Sequence, residues 1–127
     1  MWLRKMSIRV LLVDDQDLYR EGLRTLLSVQ RDVEVVGEAS NGEEALRLAA
    51  MLHPDVVLMD LRMPIMDGPT ATRRLRCELP QCRVIMLSTF DDEESRTQGL
   101  SAGAVSYLLK DVPLENLVEA IRAAVAA

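Results

Sequence analysis

Several apolar runs in this chain end on a residue that can do chemistry. Ile8–Val13 ends at Asp14-Asp15, Val56–Met59 at Asp60, Val84–Leu87 at Ser88, and Val105–Leu109 at Lys110. Short apolar runs bounded by turn-forming residues read as strands buried on both faces. An open parallel sheet binds its ligands just beyond the carboxyl ends of its strands. One rim would then gather Asp14, Asp15, Asp60, Ser88 and Lys110. Carboxylates that close repel one another, and at least one stays protonated unless a cation holds them. Oxygen-only ligation completed by water suits magnesium. With Lys110 and Ser88 alongside, such a metal would stabilise a multiply charged anion such as a phosphoryl group. Each residue alone has a plainer reading. An Asp after a strand is a common helix cap, and Lys110 can be a solvated strand end.

The elements that must position these residues follow from the same pattern. Asp17 is read as the cap of a first helix with Tyr19, Leu23, Leu26 and Leu27 at helical spacing. Val33-Glu34-Val35-Val36 carries a charge and suits an edge strand. A second helix starts at Asn41-Gly42-Glu43-Glu44 and stops before Pro54. The third runs from about Pro69 to Cys77, a weak fourth from about Glu93 to Gly103, and a last one follows Pro113. Five alternating strand–helix units call for a parallel sheet covered on both faces, and right-handed crossovers make it doubly wound.

The 127 residues make one domain, and the net charge of −5 argues against binding a nucleic-acid backbone unaided. No run approaches a membrane span, and Met1–Met6 lacks the apolar core of a signal peptide, so a cytoplasmic location is expected. Cys77 and Cys82 match no redox or zinc spacing and are read as packing residues. His53, before Pro54, is read as a cap or surface residue.

Val13-Asp14-Asp15, Leu58–Gly68, Leu87-Ser88-Thr89 and Tyr107-Leu108-Leu109-Lys110 together resemble the receiver domain of bacterial two-component response regulators, over about residues 7–125. Thr89–Glu94 and Leu109–Pro113 are similar to the NarL/FixJ (LuxR-type) subgroup. The resemblance implies a flavodoxin-like sheet of order 2-1-3-4-5. It also implies a sensor histidine kinase as partner, homodimer formation on phosphorylation, and DNA contact only through a C-terminal helix-turn-helix domain absent from residues 1–127. Asp60 would be the phosphoacceptor. Magnesium would be held by Asp15 and Asp60, by Asp14 mostly through water, and by the main-chain carbonyl of Arg62. Lys110 would pair with Asp60 and then with the phosphoryl oxygens, Ser88 would close onto the group, and Tyr107 would turn inward. Arg62 and Phe90 would control access of water. Such a protein is no enzyme beyond its own phosphoryl transfer and autodephosphorylation.

The rival functions are a stand-alone receiver acting through protein contacts and an aspartyl-phosphate phosphatase, which usually needs an acid where Arg62 stands. Tyr107 is open to two readings, a half-buried strand aromatic or a switch. Asp111 follows Lys110 where many receivers have a cis-proline, and a trans bond is expected. The fourth helix holds a single large apolar residue, Leu100, and an interior Gly99. It is either loosely docked or an ordinary exposed helix held by its ends. Alanines in the last helix permit close helix approach, and Arg20, Arg24, Glu115, Glu119 and Arg122 form either a charged interface rim or a solvated face.

Overall fold

The computed structural model describes residues 7–126; Met1–Met6 and Ala127 lie outside the described residues. The chain runs β1 (Ile8–Val13), α1 (Asp17–Leu27), β2 (Val33–Ala39), α2 (Gly42–Leu52), β3 (Val56–Asp60), α3 (Gly68–Glu78), β4 (Arg83–Ser88), α4 (Glu93–Ala102), β5 (Ser106–Leu109) and α5 (Leu114–Ala126). The strands form one parallel sheet in the order β2-β1-β3-β4-β5, the expected doubly wound arrangement. No helix among the described residues is long and apolar enough to cross a membrane.

Alternation along the strands divides the core in two. Leu11, Val13, Val57, Met59, Val84 and Met86 face the side covered by Ala45, Ala49, Ala71 and Leu75 of α2 and α3. Val10, Leu12, Val56, Leu58, Ile85 and Leu87 face Leu23 and Leu27 of α1 and Leu117, Val118 and Ile121 of α5. All five residues of β3 are buried, as expected of a central strand.

Several local expectations need correction. β2 extends beyond Val36 to Ala39, because the register shifts between Val10 and Leu11 and Leu12 and Val13 then pair with Glu38 and Ala39. Asp17 is the first residue of α1 and not its cap. Gln16 holds the cap position without a side-chain bond, and its own N–H donates to Asp14 Oδ1 at 2.8 Å. Asn41, Asp67 and Asp92 do cap α2, α3 and α4. Cys82 is buried but Cys77 is exposed. α3 buries Ala71, Thr72 and Leu75, and a position two beyond Leu75 points away from that face. His53 closes α2 with a left-handed φ of 49°. The Lys110–Asp111 bond is trans, since the described residues contain no cis peptide.

The fourth helix is capped at both ends, by Asp92 and by Gly103 at φ 119°. It docks through Ser95, Gly99 and Ala102, while Leu100 stays partly exposed. A Cβ at Gly99 would lie 3.0 Å from the Tyr107 ring, so the interior glycine that weakens the helix is what lets it approach β5. Three of the expected rim charges are paired within the chain. Arg20 and Arg24 both reach Glu38, and Arg122 meets Asp32 at 2.7 Å.

Candidate functional site

Strand register alone brings the acidic residues together. Val13 pairs with Met59, so Asp14, one residue further, arrives beside Asp60. Ser88 pairs with Leu109, and the Lys110 N–H donates to the Ser88 carbonyl at 2.9 Å. One carboxylate oxygen from each of Asp14, Asp15 and Asp60 lies within 4.8 Å of the others. Asp14 and Asp60 are buried, whereas Asp15 is exposed.

Lys110 Nζ approaches Asp14 Oδ2 at 2.7 Å and Asp60 Oδ2 at 3.3 Å. The expected partner of Lys110 at rest is therefore the farther of two. The same ammonium sits 3.4 Å from Gln16 Oε1 and 4.7 Å over the Tyr19 ring. Burial and the neighbouring Asp14 push the Asp60 carboxyl up to about 6, against the pull of Lys110. Burial, then Asp14 and Asp60, push the Tyr19 phenol up to about 12, so its hydroxyl stays neutral.

The donor set suits magnesium on its own chemistry. Three carboxylates face one ammonium, all donors to a cation would be oxygens, and the excess negative charge is what a divalent ion balances. The loop leaving Asp60 is fixed by its backbone. The Gly68 N–H donates to Leu61 O at 2.9 Å, and a Cβ on Gly68 would stand 2.2 Å from the Asp60 carbonyl oxygen. Only glycine fits there.

The remaining expected residues cluster around Phe90. Its N–H donates to the buried Ser88 Oγ at 2.9 Å, and its carbonyl accepts from the Tyr107 hydroxyl at 2.7 Å. Tyr107 is 5% exposed, more buried than a half-covered strand aromatic. Arg62 lies over the Phe90 ring at 4.7 Å and Arg96 over the Tyr107 ring at 4.9 Å.

Sequence reasoning missed Gln16, Tyr19 and Arg20. Tyr19 was legible only as part of an apolar stripe, and Arg20 only as a surface charge. Their contacts reach β2 and the loop after β5, for which local spacing carries no signal.

The response regulator receiver domain family matches residues 10–122. The transcriptional regulatory protein LiaR of Bacillus subtilis is 49% identical over 117 residues, covering 92% of this chain and 56% of LiaR. The signal receiver domain of NarL from Mycobacterium tuberculosis superposes with a TM-score of 0.91 at 38% identity, covering 96% of this chain and 98% of that domain. A LuxR-family two-component response regulator from Aurantimonas superposes at 0.89 with 35% identity, covering 94% and 86%. The chain spans about half the length of the curated relatives it matches.

Proposed function

This chain belongs to the response regulator receiver domain family, with LuxR-type relatives, and from that premise we propose that Asp60 accepts a phosphoryl group from a sensor histidine kinase. A carboxylate oxygen of Asp60 forms the new P–O bond as the P–N bond to the donor imidazole breaks, its electron pair leaving on the imidazole nitrogen. Asp15, Asp60, Asp14 and the main-chain carbonyl of Arg62 are the residues that would hold magnesium, which when bound neutralises charge on the transferred group. Lys110 moves from the carboxylates to the phosphoryl oxygens. The Ser88 hydroxyl gives up the Phe90 N–H to reach the same group, and Tyr107 follows as the Phe90 backbone shifts. Arg62 and Phe90, stacked beside the site, govern the entry of water.

A phosphoryl group adds about −1.5 to −2 charge, and the state that brings Ser88 and Lys110 nearest gains most from it. The gain biases dimerisation and, through a C-terminal helix-turn-helix domain in a longer cytoplasmic protein, DNA binding and transcription. The observation that carries this reading is the Asp60 carboxylate, 3.3 Å from Lys110 Nζ and grouped with Asp14 and Asp15. Incubation with magnesium and acetyl phosphate tests it. The chain is expected to gain the mass of one phosphoryl group, and Asp60→Asn to gain none; equal labelling of both would refute the assignment.

A further inference from the structure

Arg20 is an arginine of α1 whose side chain is only 16% exposed. It makes three bonds, two of them beyond its own helix. Nη1 donates to the main-chain carbonyl of Asp14, Nη2 to Asp17 Oδ1 at 2.9 Å, and Nε to Glu38 Oε1 at 3.0 Å. Glu38 is itself anchored, by Arg24 Nε at 3.1 Å and by its place opposite Leu12 in the sheet.

The Asp14 carbonyl belongs to the planar peptide shared with Asp15. Fixing that oxygen fixes the plane from which both side chains depart. On the other side the Asp14 N–H donates to Ala39 O at 3.0 Å, and Oδ1 accepts from the Gln16 N–H at 2.8 Å. The cluster is met by Asp14 Oδ2, which Lys110 Nζ approaches at 2.7 Å, and by the exposed carboxylate of Asp15.

We propose that Arg20 is a positioning residue for the divalent-cation site, acting through the Asp14–Asp15 peptide. This rests on the reading that the acidic cluster takes magnesium. A planar fork that meets a carbonyl and two carboxylates at once has no lysine equivalent. Charge and position make opposite demands here. Were the guanidinium felt only as a positive charge near the cluster, its removal would tighten cation binding. As a positioning device, its removal loosens binding.

Calorimetric titration of magnesium into the chain at about pH 7.5, well above the ordinary carboxylate range, separates them. Wild type is expected to bind and Asp15→Asn to lose most of the binding. Arg20→Ala is expected to raise Kd about ten-fold, in the range of other outer-shell changes. Arg20→Lys, which keeps the charge and loses the fork, is expected to raise it by about three-fold or more, and decides the matter if Arg20→Ala does not fold. A Kd in the folded Arg20 variants that falls, or stays within about two-fold of wild type, overturns the inference while leaving the magnesium reading intact. No binding by wild type overturns both.

Discussion

Asp60 and Ser88 end neighbouring strands, yet what surrounds them is built differently. Around Asp60 the strand is buried throughout, the following loop is pinned by Gly68, and Lys110 ties Asp60 to Asp14. Around Ser88 the contacts are few and replaceable. One N–H of Phe90 occupies the hydroxyl, one Tyr107 bond holds the Phe90 carbonyl, and α4 rests on the sheet through Ser95, Gly99 and Ala102. α4 buries Ser95, Gly99 and Ala102 and leaves Leu100, its one large apolar residue, partly exposed, so it meets the sheet through small residues. Under the proposed function the comparison becomes a division of labour: the β1–β3 end would fix atoms for chemistry, and the β4–β5 end would answer.

The largest effect is expected from Lys110→Ala. It removes the one cation that, among the described residues, contacts these two buried carboxylates, which costs about 3–4 kcal/mol at pH 7 by urea unfolding without divalent ions. Magnesium is expected to restore part of that loss. An unchanged midpoint would mean that the fixed end is not held by charge.

Next comes Gly68→Ala, whose methyl meets backbone that has nowhere to go. It is expected to destabilise by about 3 kcal/mol and to weaken magnesium binding measured by calorimetry.

Asp60→Asn tests the electrostatic side of the same end. The folded Asp60 carboxyl titrates at about 6, above the ordinary 3.8, so its ionisation costs stability as pH rises through that range. Below about pH 4 variant and wild type are expected to match. Above pH 6 the variant is expected to be more stable by about 1–2 kcal/mol, allowing for water at the open rim. Thermal melts across pH 4–8 read this directly, and magnesium is expected to close the gap. A wild type more stable than the variant at pH 7 without metal would reverse the sign.

Gly99→Ala, the same substitution at the other end, is expected to change stability by under about 1 kcal/mol, since better helix propensity offsets contact with Tyr107 and Met86. A loss as large as that of Gly68→Ala would erase the distinction between the two ends.

How much of this was legible in the sequence follows the same division. Asp14, Asp60 and Lys110 each close an apolar run, and in a parallel sheet that placement is enough to bring them to one rim. The five-unit fold came from the same runs. Gly99 was visible only as a cost to its helix, because its benefit lies in a ring contributed by β5. Asp17 looked like a cap, but Asp14 had already turned the chain and left Asp17 to Arg20. The clamp of Arg20 on Asp14 and Glu38 joins α1, the loop after β1, and β2, and no local pattern announces a contact of that range.

The division of labour is tested most directly by amide hydrogen exchange with and without magnesium and beryllofluoride, using Asp60→Asn as control. The predicted result is altered exchange across Ser88–Tyr107, with α4 foremost, while Ile8–Val13 and Val56–Met59 stay as slow as before. Exchange that changes equally in both sets of strands, or changes as much in the control, would contradict it.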